Sequence, residues 1–149
     1  KDGFLDEYSE QYLREVVTNH TSGWFKVAPE HTEDHVLRLM SKPPFAFFSV
    51  LRREFSRIAA AEHLPYRIVP YFISSHPGCT LQDMKALAKN KELRGIQLEQ
   101  VQDFTPTPMT ASSVMFYTGK DLSGRPVFVE RNIAGKKIQK SLFFRKNAL

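Results

Sequence analysis

The chain has 149 residues, 42% of them hydrophobic, 25% charged and 12% aromatic, with a single Cys and a formal net charge of +5. This suffices for one core of ordinary size, and no run approaches the roughly 20 consecutive apolar residues of a membrane helix. A lone Cys excludes an internal disulfide and any site built from several thiolates of this chain.

The charge is unevenly placed. Residues 1–118 carry 13 Lys+Arg against 14 Asp+Glu, a net of −1, whereas residues 119–149 carry 8 against 2, a net of +6. A neutral body with a basic C-terminal segment argues against a uniformly phosphate-binding surface and for a solvated tail or an inter-domain contact. The first residues, Lys1 to Glu7, show no initiator Met and no apolar h-region, so no signal peptide is expected and the chain reads as part of a longer polypeptide.

In chain order, Leu5, Tyr8, Tyr12, Leu13, Val16 and Val17 recur at helical spacing and predict a helix over Leu5 to Thr18. Trp24 to Ala28 predicts a strand ended by Pro29. Thr32 is the expected N-cap of a helix through Val36, Leu37, Leu39 and Met40. Lys42-Pro43-Pro44 breaks that helix, and periodicity resumes from Phe47 to His63. Phe45, Phe47, Phe48 and Phe55 are expected to face a sheet.

Tyr66 to Ile73 is near-continuously apolar, as a parallel strand covered on both faces would be. Ser75-His76-Pro77-Gly78 turns the chain, and Thr80-Leu81-Gln82-Asp83 is a capping box opening a helix that ends near Arg94-Gly95. Leu98 to Phe104 predicts a third strand, followed by the Thr105–Pro108 loop and a short helix from Thr110 to Tyr117. Beyond Gly119, Asp121 to Gly124 is a turn and Pro126 to Glu130 a short strand or extended segment. A basic helix is expected from Ile133 to Phe144, with Ile133, Ile138, Leu142 and Phe143 on or near one face. Alternating strands and helices predict an α/β fold with parallel strands and right-handed crossovers, though three strands are too few to close a barrel.

The segments after the three strands carry a more specific signal. Lys26-Val27-Ala28-Pro29-Glu30-His31-Thr32, the peptide from Pro70 to Gly78, and Val101 to Met109 together resemble the YgiQ family of radical S-adenosylmethionine (radical SAM) proteins over residues 10–119. Val36 to Met40, His76-Pro77-Gly78 with Thr80, and the Pro106-x-Pro108 loop are similar to motifs that radical SAM methylthiotransferases carry after their barrel strands. The resemblance implies the C-terminal half, about three β/α units, of a partial TIM-like radical SAM barrel over residues 1–118, with a family-specific basic extension over 119–149. It further implies a cytoplasmic enzyme in which a [4Fe-4S] cluster reductively cleaves S-adenosylmethionine to a radical that abstracts hydrogen from a substrate. The cluster is held by a C-x-x-x-C-x-x-C loop that this chain lacks. The missing N-terminal half of the same polypeptide is therefore the expected partner and the source of the cluster, and this part alone is expected to bind no cofactor and to be inactive.

In β/α barrels the C-terminal ends of the strands form the active face, which selects the candidates. Lys26 and Glu30 can grip opposite charges on S-adenosylmethionine or pair with each other. Ser74, Ser75 and His76 follow the second strand, and Gly78 allows a close backbone approach, either by the cofactor's adenine and ribose or as the requirement of a tight turn. Of Gln102 and Asp103 only one can point into the barrel, and Gln102 is favoured. His31 and His35 have the i, i+4 spacing of metal ligands but no Glu in the H-E-x-x-H position. They are read as ordinary side chains, with His31 kept as a cofactor contact and no metal site assigned. Cys79 is read as a buried structural thiol rather than a reactive one. Two further expectations are an open parallel edge on the first strand that invites self-association, and a competing role as a nucleic-acid or protein-binding module using the basic tail.

Overall fold

The structure, a computed structural model, describes residues 7–96 and 100–144. Its centre is a three-stranded parallel sheet in the order β1(Trp24–Glu30), β2(Arg67–Ser74), β3(Gln100–Asp103). The helices are α1(Glu7–Asn19), α2(Asp34–Leu39), α3(Ala46–Ala61), α4(Leu81–Lys89), α5(Ala111–Thr118) and α6(Ile133–Phe144), with a 3₁₀ turn over Lys91–Leu93. The mixed α/β architecture and parallel pairing follow the sequence reading. Leu5 and the predicted start of the third strand at Leu98 lie outside the described residues.

The register sets Phe25 beside Ile68 and Val27 beside Pro70, and Phe72 beside Val101. One face of the sheet is covered by helices. Phe25 and Ile68 pack under α1 and α3 with Leu13, Val17, Phe55 and Ile58, while Val27, Phe72 and Val101 pack with Val36, Leu37, Phe48, Met84, Leu87 and Phe143 from α2, α3, α4 and α6. Strand alternation sends Lys26, Ala28, Arg67, Tyr71 and Gln102 to the opposite face, where they are exposed or half-buried. Arg67 and Tyr71 leave that face largely uncovered, but Val69 on it is 4% exposed, so the expected burial of β2 on both sides is met in part.

Several local expectations are corrected. Tyr8 and Tyr12 are 79% and 65% exposed, because α1 buries only a narrow stripe at Leu13 and Val17, one turn apart. Thr32 is not the cap of α2. It is buried, its hydroxyl donates to Glu33, and Glu33 is the N-cap without a side-chain bond. Of the four phenylalanines, Phe45, Phe48 and Phe55 are buried but Phe47 is exposed. The helix opened at Thr80 stops at Lys89, where Asn90 leaves helical geometry and caps the following 3₁₀ turn. On α6 the buried stripe is Gln139 and Phe143, with Ile133 and Ile138 turned outward at 71% and 51% exposure. Pro126 makes an isolated antiparallel bridge to Lys120, and Pro126 to Glu130 does not join the sheet.

Candidate functional site

The carboxyl ends of the strands are shaped by three unusual backbone turns. Glu30 ends β1 after an irregularity in register, with φ 67°, and His31 N–H donates to Pro29 C=O at 2.8 Å, closing a γ-turn around Glu30. Such a conformation is strained for a residue with a Cβ. Ser75 follows β2 with φ 60°. His76-Pro77-Gly78-Cys79 is then a tight turn, with Cys79 N–H on His76 C=O at 2.8 Å and Gly78 at φ 88°. Pro at the second position and a left-handed Gly at the third are what a type II turn requires. Thr80 opens α4 with the predicted capping box: its hydroxyl accepts from Asp83 N–H, and Asp83 accepts from Thr80 N–H at 2.8 Å.

Over these ends lies a cleft of about 270 Å³, bordered by Glu30, Lys42, Ile73, His76, Gln102, Asp103 and Ser112. Glu30 is paired with Lys42, Nζ to Oε1 3.2 Å, rather than with Lys26, and its other oxygen is buried without a hydrogen-bond partner. His76 is 3% exposed. Its Nδ1 lies 2.7 Å from the Pro77 carbonyl, an acceptor only, so Nδ1 carries the proton. Nε2 then offers a lone pair, and the Ser112 hydroxyl, 2.7 Å away, donates to it. Burial holds the His76 imidazole down at about 4, against the opposing pull of the Pro77 carbonyl. Ser112 thus presents acceptor lone pairs to the cleft.

Gln102 and Asp103 divide as strand alternation demands. Gln102 lies toward the uncovered face and accepts from the Tyr71 hydroxyl. Asp103 accepts from the buried Ser74 hydroxyl at 2.6 Å and sits 3.7 Å from Lys140 of α6. Glu30, His76 and Gln102 are therefore brought together on one cleft. Lys26, His31, Ser74 and Gly78 are not among its lining residues. Lys26 lies on the uncovered face and takes part in no ion pair among the described residues. His31 turns fully inward, its Nδ1 accepting from Glu33 N–H at 3.0 Å and its Nε2 facing Cys79 Sγ at 3.4 Å. The close approach at Gly78 is made by the chain itself: a Cβ there would lie 2.2 Å from Leu39 Cδ1, and Gly78 N–H donates to Phe128 C=O. Lys42 and Ser112 were not singled out from sequence. Both sit in loop or helix-start positions whose proximity to the strand ends is purely tertiary.

The two histidines at i, i+4 do not converge. His35 faces Asp83 at 3.3 Å and, with Glu33, brings three possible ligand atoms within 4.8 Å of one another. Asp83 is already committed to capping α4. Burial pushes its carboxyl up, but the Thr80 hydroxyl and amide hydrogen bonds outweigh that and hold it low. The group has an internal account without an ion. Burial raises the Cys79 thiol to about 12 and lowers His31 to about 4, so they form a neutral thiol–imidazole contact rather than a reactive ion pair.

Parallel strands with a polar cleft at their carboxyl ends, strained turns included, define a β/α unit of the kind that carries binding sites. A family profile described as "Domain of unknown function (DUF3362)" matches residues 99–147, which take in β3, α5 and α6. The chain is 44% identical over 156 residues to a UPF0313 protein of Bacteroides thetaiotaomicron, with all of the chain and 25% of that protein covered. It is 45% identical to UPF0313 proteins of Porphyromonas gingivalis and Geobacter sulfurreducens, over 97% and 93% of the chain and 23% of each relative. The chain therefore spans about a quarter of the length of the curated relatives it matches.

Proposed function

We propose that this chain is the second half of a radical SAM barrel within a longer enzyme, and that the cleft over its strand ends receives part of S-adenosylmethionine. The observation that carries this reading is the polarity of the cleft. Glu30 has an unpartnered carboxylate oxygen, Asp103 is a second carboxylate, and Ser112 is made an acceptor by His76. Lys42 and Lys140 offset the two carboxylates, but the unpartnered Glu30 oxygen and the Ser112 lone pairs leave acceptors to offer, which suits a ligand rich in donors such as an ammonium or a ribose diol. These groups belong to S-adenosylmethionine, the cofactor implied by the motif resemblance. Glu30 would hold the cationic methionine end, and His76, Ser112 and Gln102 the ribose or adenine. The cleft is at the lower end of the volumes that bury a whole small ligand, so the remainder of the pocket would come from the rest of the polypeptide. The uncovered sheet face bearing Lys26, Tyr71 and Gln102 would then line the barrel interior.

The cluster does not belong to this chain, because Cys79 is its only cysteine and its thiol is buried and protonated. When bound to a reduced cluster, the cofactor supplies a hydrogen-abstracting radical, and this chain's residues bind and orient it. The names of the relatives state no activity, so the reading rests on the motifs and the cleft.

The competing nucleic-acid role is weakened by where the basic residues of the C-terminal segment point. Arg131 donates to the Phe116 and Tyr117 carbonyls, Lys136 lies over the Phe116 ring, Lys140 faces Asp103 and Arg125 pairs with Asp121. Four of the segment's eight Lys and Arg are thus engaged within the chain, which reduces what it offers to a phosphate surface. The test is anaerobic reconstitution of the full-length polypeptide: a [4Fe-4S] spectrum and release of 5′-deoxyadenosine on reduction are expected. Absence of both, with salt-sensitive RNA binding instead, would favour the competing role.

A further inference from the structure

Helix α6 gives the cleft none of its lining, yet it inserts one polar side chain beneath it. Gln139 is 1% exposed, one turn before Phe143, whose ring packs on Phe72 at 5.7 Å between centroids. Its Oε1 faces Ser75 N–H at 3.1 Å, the Ser75 hydroxyl at 3.3 Å and the Cys79 thiol at 3.6 Å, while its Nε2 has no partner. The opposite amide orientation would set NH₂ against the Ser75 N–H, so this orientation is the favourable one. The orphaned Nε2 is unfavourable, whereas Oε1 satisfies the buried Ser75 N–H, so what keeps a glutamine here is what its oxygen does for that loop.

What Oε1 holds is the strained residue of the loop. Ser75 sits at φ 60°, a conformation unfavourable for a residue with a Cβ, and it turns the chain so that His76 points to Ser112. The same contact continues sideways. His31 must donate through Nε2 to Cys79, because its Nδ1 accepts from Glu33 N–H, and the Cys79 thiol reaches Gln139. The loops after β1 and β2 are thus tied to α6 by one buried chain.

We propose that Gln139 is a positioning residue of the cofactor cleft: through Ser75 N–H it locks the left-handed turn after β2 and so fixes the orientation of His76 toward Ser112. This rests on the cofactor reading given above for the identity of the ligand, though not for the lock itself.

The experiment uses the reconstituted full-length polypeptide with Gln139→Met, which conserves volume and removes the acceptor. Expected are a small drop in melting temperature from the unsatisfied Ser75 N–H, faster hydrogen exchange concentrated in a peptide spanning Ser74 to Cys79, and about tenfold weaker S-adenosylmethionine binding. Ser75→Gly added to Gln139→Met should recover part of that affinity, since glycine adopts φ 60° without strain. Wild-type exchange in that peptide, exchange rising throughout the chain with a large drop in melting temperature, or unchanged affinity despite local loosening would each overturn the proposal. Should Gln139→Met not fold, Ser75→Ala removes the buried hydroxyl's bond to Gln139 while keeping the N–H bond, and it should loosen the same peptide to a smaller extent; no loosening at all counts against the lock. A wild-type protein that binds no S-adenosylmethionine would bring down the cofactor reading, and the exchange result would still decide the role of Gln139.

Discussion

Ser112 donates its hydroxyl proton to Nε2 of His76 across 2.7 Å, joining the first turn of α5 to the loop after β2. The Phe104 ring stands edge-on to the imidazole at 5.1 Å, so the ring is held from two sides. Ser112→Ala removes both the donor to His76 and an acceptor offered to the cleft. The expected result is a stability loss of about 1 kcal/mol and severalfold weaker S-adenosylmethionine binding. Equilibrium binding and thermal unfolding of the full-length variant measure the two effects separately.

Two neutral histidines make this part of the protein acid-sensitive. Burial lowers both His31 and His76 from 6.5 to about 4, so between those values the unfolded chain binds more protons than the folded one. Stability is therefore complete above about pH 6.5 and falls as pH drops toward 4, by up to about 3 kcal/mol per histidine. Asp83, held low by Thr80, adds a loss in the same direction at still lower pH. Unfolding of the wild type and of His31→Gln at pH 7 and pH 5 should show a smaller acid shift in the variant.

Gly78 stands at φ 88°, and a Cβ there would meet Leu39 Cδ1 at 2.2 Å. The methyl end of Leu39 can rotate away, but the left-handed backbone remains unfavourable for alanine. Gly78→Ala should cost about 1–3 kcal/mol and weaken the link to Phe128, read as a lowered melting temperature with faster exchange at residues 76–80.

Phe143 is 1% exposed and rests on Phe72, so it anchors α6 to the sheet. Phe143→Ala is expected to destabilise by about 3–5 kcal/mol, the range for a large aromatic lost from a core. Denaturant unfolding measures it. A loss below 1 kcal/mol would mean that α6 is not part of this core.

The elements that were legible in the sequence are those fixed locally. The apolar run of β2, the Thr80/Asp83 capping box and the Pro-Gly turn at 77–78 carry their signals within a few residues. Errors fell where a helix has more apolar residues than buried positions. Tyr8, Tyr12, Ile133 and Ile138 fit a helical period but face outward, because the core is met by the i, i+4 pairs Leu13/Val17 and Gln139/Phe143, with Leu142 packed beside the latter. At the site, Glu30, His76 and Gln102 were legible as residues after or at the ends of strands. Lys42, Ser112 and Gln139 were not, since each reaches the strand ends from 12 to 64 residues away in a partnership that no local pattern encodes.

The central claim is that the cleft beside Glu30 binds the cationic end of S-adenosylmethionine, and its most direct test is the affinity of the reconstituted full-length Glu30→Gln variant. Glutamine keeps the shape and the hydrogen-bonding oxygen but removes the charge, and the side chain at this position is only 12% exposed. About tenfold or greater loss of affinity, with the [4Fe-4S] spectrum intact, is the predicted result. Wild-type affinity in that variant, with the cluster equally intact, would contradict the account.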